Sequence, residues 1–183
     1  MGFLTPNASG ELDVLKTYAL QQLAQMRTTV HGLSDEQANS TPTASDLSLT
    51  SLLMHTAEVA VFWSADAASA PKEPELPTDM QDHSLDELVA DPRGLTAALD
   101  YFDRGVRYAT DNLDKVSDLS APVPVPEAPW YPDDLESWEA RWCLLHLCTE
   151  IARHVGHADI IRETIDGKGS YELNDLAEAA DAD

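Results

Sequence analysis

The chain of 183 residues contains 33 acidic and 11 basic residues, which gives a formal net charge of −22. Proteins bind nucleic acid mainly through basic groups that displace phosphate counterions, and anionic membrane surfaces attract clusters of Lys and Arg. Neither nucleic acid nor a membrane is therefore an expected partner. A hydrophobic content of 43% is too high for a disordered chain, and the length fits a single domain.

The location of the protein is predicted from its N-terminus and its cysteines. The N-terminus has no basic segment followed by an apolar run, and no apolar stretch approaches the ~18 residues of a membrane span. Cys143 and Cys148, if both are on one helix, point in different directions and cannot form a disulfide with each other. Two reduced thiols are typical of a reducing compartment, so we expect a cytoplasmic protein.

Four long segments with a 3.6-residue hydrophobic period predict an all-α fold. The first helix is expected from about residue 9 to residue 30. A short helical turn follows Ser34, because the spacing to Gln37 fits a capping box. The second long helix begins after Ser48, a good N-cap, and continues to about residue 67. Its apolar stripe includes a histidine, His55.

The second half of the chain alternates connections with helices. Residues 70–91 hold three prolines and seven acids, which predicts an exposed connection with one short helix at about residues 84–89. The third long helix is expected to follow Asp91 as N-cap and Pro92 as its first residue. The proline-rich residues 121–129 cannot form a helix or a central strand. The fourth and longest helix is expected at about residues 137–165, ended by Gly167.

The last 13 residues, 171–183, contain five acids and no base, which indicates a frayed or disordered tail. The sequence therefore predicts one helical domain over residues 1–170, a four-helix bundle with long crossover connections, followed by an acidic C-terminal tail. The exposed faces of such a bundle make a homodimer reasonable.

The fourth predicted helix carries a cluster of ionisable residues on a face that should be buried. At 100° per residue, three histidines lie within about 40° of Glu150 around the helix axis and so share one stripe with it: His146, His154 and His157. Apolar residues continue this stripe at both ends. Arg162 points away from it. Burial of an unpaired carboxylate or of several imidazoles costs several kcal/mol, so we expect a partner for Glu150. A metal ion is the simplest candidate.

His55 offers a third ligand from a facing helix. Two ligands at i and i+4 on one helix and a third from its neighbour make an open metal site in a bundle core. Two structural alternatives remain: His55 as a core histidine bonded to a carbonyl, and Glu150 with His154 as a salt bridge within the helix. Spacing alone is weak support in so acidic a chain, because Asp79 and His83 show the same spacing in the proline-rich loop, where we expect them to be solvated.

Two segments then carry a resemblance to a known family. The sequence LSLTSLLMHTAE at residues 47–58, Trp63, and the sequence EIARHVGHADIIRETIDG at residues 150–167 resemble the DinB-like superfamily. More narrowly, they are similar to its actinobacterial branch, which is related to the mycothiol-dependent maleylpyruvate isomerase N-terminal domain and to thiol S-transferases. The resemblance spans nearly the whole chain and implies a DinB-like bundle. The second domain of the isomerase is not seen in this chain, so we do not expect that particular reaction.

The resemblance also implies a ligand set and an activity. Its metal ligands correspond to His55, Glu150 and His154, with glutamate first in the i, i+4 pair as in the mycothiol-linked branch. His157 stands where other members have glutamine. Such a set leaves coordination positions open, which is typical of catalytic sites. Zn²⁺ is the first choice, and Ni²⁺, Fe²⁺ or Mn²⁺ share these ligands.

A thiol on Zn²⁺ is deprotonated at neutral pH. We therefore expect a metal-dependent S-transferase that activates mycothiol or a similar low-molecular-weight thiol for attack on a small electrophile, as in detoxification. Two alternatives share the same ligands. One is a non-catalytic metal-binding stress-response protein, and the other is a metal-dependent hydrolase.

Four further residues are candidates for supporting roles. His146 and His157 could orient a ligand or shuttle a proton, or they could be bonded core histidines. Arg153 could anchor a carboxylate or sugar hydroxyl of the thiol, or it could pair with a neighbouring acid. Glu58, one turn from His55, could support that ligand or lie at the rim.

Overall fold

A computed structural model of the chain describes residues 5, 7–80, 88–126, 131–132 and 134–181. Most of the described residues are helical, and a two-stranded antiparallel sheet accompanies the helices. In chain order the elements are α1 (Glu11–Thr28), α2 (Asp35–Asn39), α3 (Leu49–Ser69), a single 3-10 turn (Thr78–Met80), α4 (Leu95–Leu113), β1 (Pro122–Pro124), β2 (Ser137–Glu139), α5 (Ala140–Asp166) and α6 (Ser170–Asp181). The short helix expected at about residues 84–89 falls mostly on residues 81–87, which lie outside the described part of the chain.

The four long helices form the bundle that the hydrophobic periodicity predicts. α3 packs against both α4 and α5, and α1 closes the ring by contacting α5 and α4. The prediction of an all-α four-helix bundle is confirmed. Among the described residues, no helix combines the length and the apolar character needed to cross a membrane.

α3 is enclosed by its neighbours along almost its whole length. A helix that is apolar on all sides must be buried on all sides, and all but three residues of α3 are buried. Its start is fixed by a capping box, in which the Ser48 hydroxyl accepts a hydrogen bond from the Ser51 N–H and the Ser51 hydroxyl accepts one from the Ser48 N–H. The polar side chains of α3, His55 among them, therefore face other helices.

Gly105 sets the close approach of α4 to α3. A Cβ atom at this position would lie 2.9 Å from the Cβ of Ala57 on α3 and 3.1 Å from its carbonyl oxygen. Two helices can pack this closely only where one has no side chain. α3 and α4 consequently form a tight pair, and α5 packs on the α3 member of that pair.

The start of α4 differs from the expectation. Gly94, with φ of 95°, is the N-cap, and the helix begins at Leu95. Asp91 instead accepts hydrogen bonds from the backbone and guanidinium of Arg93. The capping carboxylate comes from Asp35 of α2, which accepts a hydrogen bond of 2.9 Å from the Leu95 N–H. A cap supplied from 60 residues away has no local sequence signal.

The start of α5 also differs. Ser137–Glu139, which were expected to open the helix, form β2 instead. The partner strand β1 lies in the proline-rich segment, and Val123 of β1 is opposite Trp138 of β2. Because each strand is three residues long, neither has enough alternation to be recognised in the sequence. Gly167 ends α5 in the left-handed conformation with φ of 78°, as predicted.

The expectation of a frayed tail is wrong over the described residues. Ser170–Asp181 forms α6, which packs on α1. Leu173 is 1% exposed, and Asn174 and Gln25 of α1 exchange two side-chain hydrogen bonds of 2.9 and 2.8 Å. Because the segment is so rich in acidic residues, its sequence pattern does not reveal the few buried residues through which α6 docks on α1.

Arg162 points away from the histidine-rich stripe but not into solvent. It is 2% exposed and donates hydrogen bonds to the carbonyl oxygens of Thr29 and His31, both at 2.8 Å, and to the carboxylate of Asp166. Carbonyl groups at a helix C-terminus lack partners within the helix. Arg162 of α5 thus caps the C-terminal end of α1.

Candidate metal centre

Three candidate ligands from two helices meet in the core. His55 comes from the buried α3, and Glu150 and His154 lie one turn apart on the face of α5 that packs against it. The Nε2 atom of His154 is 3.0 Å from Oε1 of Glu150, and the Nε2 atom of His55 is 4.0 Å from the same oxygen. The two imidazole rings contact each other edge to face, with centroids 4.6 Å apart.

Burial differs among the three side chains in a way that suits a reactive site. His55 and His154 are buried, whereas the side chain of Glu150 keeps 27% of its surface exposed. A site that is closed on the helix side and open at its carboxylate can admit a small molecule. The imidazoles are at the same time shielded from bulk water.

The donor set fits a divalent metal ion. One ligand atom from each residue lies within 4.8 Å of the others. With metal–ligand bonds of about 2.0–2.2 Å, two ligand atoms of one tetrahedral ion lie about 3.3–3.6 Å apart, so the more distant ligand atoms would have to approach each other by up to about 1.5 Å. Two imidazole nitrogens and one carboxylate oxygen suit zinc and its neighbours in the first transition row.

The ring of His154 is positioned by packing. Its Nδ1 atom is buried and makes no hydrogen bond within the described residues, and the same holds for Nδ1 of His157. The His154 ring contacts those of His55 and His157, the latter at a centroid distance of 5.8 Å. The 3.0 Å contact between His154 and Glu150 also fits the structural alternative, in which the two residues form a salt bridge within the helix.

The four supporting candidates lie outside this three-residue group. Glu58 is buried and accepts a hydrogen bond of 2.7 Å from the hydroxyl of Tyr101 on α4. Tyr101 was not singled out by sequence reasoning, because an acceptor on another helix gives no local signal. Arg153 is exposed, and His157 is half-buried beside His154.

His146 belongs to a set of stacked rings at the start of α5, which we call the ring stack and define as Trp138, Trp142 and His146. Trp138 lies parallel to Trp142 at 4.6 Å, and Trp142 lies parallel to His146 at 5.0 Å. Trp63 of α3 contacts all three rings edge to face. Burial lowers the pKa of His146, against the opposing effect of Glu150, so its ring is neutral at neutral pH.

Neither cysteine of the chain is available as a thiolate at neutral pH. Burial raises the pKa of Cys143 to about 12, with a further contribution from Asp66, and raises that of Cys148 to about 11. Both are free thiols, as expected. A sulfur nucleophile at this centre would therefore have to come from another molecule.

Comparisons with known proteins bear on this site. A family model described as Mycothiol-S-transferase matches residues 14–167, which include all three residues of the cluster. No match to a curated protein is found. A crystal structure described as the conserved protein of locus from Enterococcus faecalis is similar, with a TM-score of 0.58 and 19% identity over 85% of this chain and 96% of that one. At this identity the likeness supports the fold alone.

Proposed function

The chain belongs to the mycothiol-S-transferase family, and from this membership we propose that it transfers the sulfur of mycothiol, or of a closely similar thiol, to a small electrophile with the help of a divalent metal ion. The proposed ligands are His55, Glu150 and His154. The observation that carries the proposal is the convergence of their three side chains from α3 and α5 at a partly open point in the core.

The raised pKa values of the two cysteines favour a nucleophile that comes from another molecule. Cys143 and Cys148 stay protonated at neutral pH because of their burial, and no catalytic role is assigned to them. A thiol cosubstrate supplies what the protein lacks. A bound Zn²⁺ would lower the pKa of such a thiol so that it is present as thiolate, and Ni²⁺, Fe²⁺ or Mn²⁺ would act in the same sense.

The residues around the ligands would orient and shield the reaction. His55 and His154 are fixed by ring packing, which holds their nitrogens toward one point before any ligand arrives. The partly exposed Glu150 marks the side from which the thiol enters. We propose that His146, one turn before Glu150 and neutral because burial lowers its pKa, accepts the thiol proton, and that Glu58, which accepts a hydrogen bond from Tyr101, supports His55 from the next turn of α3.

The proposal includes a cytoplasmic location and small-molecule partners. Two unpaired cysteines are typical of a reducing compartment. A net charge of −22 disfavours polyanionic partners such as nucleic acid.

The test combines metal analysis with a conjugation assay. Wild type is expected to retain about one equivalent of metal and to conjugate mycothiol to chlorodinitrobenzene, with loss of activity on chelation and recovery on addition of Zn²⁺. His55→Ala and His154→Ala should lose metal and activity while keeping a helical circular dichroism spectrum. His31→Ala, a matched substitution outside the cluster, should behave as wild type.

Cobalt substitution separates the alternatives. In a transferase with an open position, added thiol should change the visible spectrum of the Co²⁺ protein. A spectrum indifferent to thiol would favour the non-catalytic metal-binding protein, and turnover of an ester without thiol would favour the hydrolase. Metal-free wild type with unimpaired activity would contradict the proposal outright.

A further inference from the structure

A cavity of about 390 Å³ lies between α1, α5 and the first residue of α6. Asp159, which lines it, is nine residues after Glu150, and at 100° per residue this spacing places the two side chains on opposite faces of α5. The volume is within the range of sites that hold small molecules. The cavity faces away from the candidate metal centre, so a ligand bound here would occupy a second, separate site.

The walls of the cavity come from one stripe on each of two helices. The stripe on α1 is polar, and two of its amide side chains, Gln21 and Gln25, are buried. Gln25 exchanges two hydrogen bonds with Asn174 of α6, which makes this wall rigid without a ligand. The stripe on α5 consists of small or apolar residues and Asp159. The cavity is therefore polar on one side and holds a carboxylate on the other.

Gly156 of α5 leaves part of this space open. A Cβ atom at this position would meet no other part of the molecule within 4 Å, so the packing of α5 does not require a glycine here. Glycine within a helix is less favourable than alanine. The residue thus weakens the helix without allowing a closer contact, but it leaves room in the cavity for a ligand.

Asp159 is a half-buried carboxylate that makes no hydrogen bond or ion pair with any described residue. Burial raises its pKa to about 6, and the negative charge of Glu163 adds to this rise. At neutral pH the carboxylate is still mostly ionised, but it lacks the partner that would offset its loss of water. A positively charged group inside the cavity would supply that partner.

The charge and the size of the cavity favour one class of ligand. Among the described residues that line it, none is Lys or Arg, so an anion would face the carboxylate of Asp159 without a balancing charge. A bare Ca²⁺ or Mg²⁺ ion needs about six oxygen ligands and would find one carboxylate in a space large enough for a molecule. An ammonium group can donate to that carboxylate, and the half-exposed ring of Tyr18 can cover its positive charge.

We propose that this cavity binds a small organic molecule with an ammonium group, which pairs with Asp159. The site is independent of the proposed S-transfer reaction and lies on the other face of α5. Its ligand would contact α1, α5 and Ser170 at the start of α6. Because the cavity exists only in the folded protein, the ligand should also raise Tm.

Three probes with the same phenol ring test the charge of the ligand by isothermal titration calorimetry. Tyramine carries an ammonium group, tyrosol has a hydroxyl group in its place, and 4-hydroxyphenylacetate carries a carboxylate. Wild type should bind one equivalent of tyramine, should bind tyrosol about tenfold or more weakly, and should bind the anion most weakly. Equal affinity for tyramine and tyrosol would refute recognition of the charge, and no saturable binding of tyramine would overturn the proposal.

Replacement of the carboxylate tests its role. Asp159→Asn keeps the shape of the side chain but removes its charge, and it should weaken tyramine binding about tenfold or more while changing tyrosol binding little. Asp111→Asn removes the same charge from an exposed position on α4 and should leave both affinities unchanged. Without ligand, Asp159→Asn should unfold at the same temperature as wild type or above it, because the carboxylate has no partner to lose. Wild-type affinity for tyramine in Asp159→Asn would overturn the proposal.

Filling the cavity tests the location of the site. Gly156→Leu places a side chain in the open space and should abolish tyramine binding. This variant should fold, because a Cβ atom is accommodated there and leucine favours a helix more than glycine does. Gly156→Ala is the matched control, which should gain helix stability and still bind tyramine. Undiminished binding in Gly156→Leu would show that the ligand lies outside the cavity and would overturn the proposal.

The cavity site and the proposed function fail in different ways. His55→Ala should bind tyramine as wild type does, and Asp159→Asn should retain metal and conjugation activity, because the two sites are on opposite faces of α5. Tyramine binding in a protein without metal-dependent conjugation would remove the proposed function and leave the cavity site. Metal-dependent conjugation without tyramine binding would do the reverse.

Discussion

Replacing Arg162 with methionine should destabilise the protein by about 2–4 kcal/mol, because two carbonyl oxygens at the C-terminal end of α1 lose their buried donor, whereas Asp166, 20% exposed, keeps Lys168 as a partner. The guanidinium is 2% exposed and donates to the carbonyl oxygens of Thr29 and His31 and to Asp166. Methionine fills a similar volume, so the loss measures hydrogen bonds and charge more than packing.

Arg141 provides the matched control. It also binds a distant carboxylate, with hydrogen bonds of 2.7 and 2.8 Å to Glu11, but its side chain is 42% exposed. Water screens an exposed ion pair of this kind, so Arg141→Met should change the free energy of unfolding little. Urea unfolding followed by far-ultraviolet circular dichroism gives both values. If the two variants differ by less than about 1 kcal/mol, the assignment of Arg162 as a buried cap of α1 is incorrect.

The ion pair between Arg162 and Asp166 also makes the free energy of unfolding depend on pH. Burial alone would raise the pKa of Asp166, but hydrogen bonds from Arg162 and Lys168 lower it from 3.8 to about 2. A pKa lowered in the folded state contributes stability above the unfolded value and loses it as pH falls through the folded value. The stability difference between wild type and Arg162→Met should therefore narrow between about pH 4 and pH 2. A constant difference over this range would contradict the lowered pKa.

Three further predictions concern the metal, the helix pair and the C-terminal helix. Zn²⁺ at about 100 times its Kd should stabilise wild type by ~2.7 kcal/mol, seen as a rise in Tm of roughly 5–10 °C, and should not stabilise His55→Ala; an equal rise in both would exclude His55 as a ligand. Gly105→Val should cost about 1–3 kcal/mol in urea unfolding, because its side chain would overlap Ala57, and Ala57→Gly should recover part of the loss; an unchanged midpoint would show that α4 is not held so close to α3. Ending the chain before α6 should cost about 2–4 kcal/mol through loss of the buried Leu173 and of the hydrogen bonds to Gln25, and a truncated protein as stable as wild type would mean that α6 does not dock.

The sequence predicts best those features that depend on local periodicity. The four helices follow from their apolar stripes, and Gly167 ends α5 as expected. His55 and the Glu150/His154 pair are visible as polar residues on stripes that should be buried. That these stripes face each other follows from the packing of α3 on α5.

The features that the sequence does not predict depend on contacts between distant segments. Arg162 lies off the histidine stripe, but α5 is covered by α1 as well as by α3, so burial is not confined to one side of it. Asp35 caps α4 from another helix, and Tyr101 binds Glu58 across the α3–α4 interface. The short strands and the docking of α6 depend in the same way on partners that local patterns do not reveal.

The enclosure of α3 has a consequence for how proteins of this design can change. Almost any substitution along α3 must be accommodated by neighbouring helices, whereas α5 keeps individual positions such as Leu145 and Ile160 exposed to solvent. We expect amide protons of α3 to exchange most slowly, since only global opening exposes them. Sequence change would then accumulate at exposed positions of α5 such as Leu145 and Ile160, while the helix that carries His55 stays as it is.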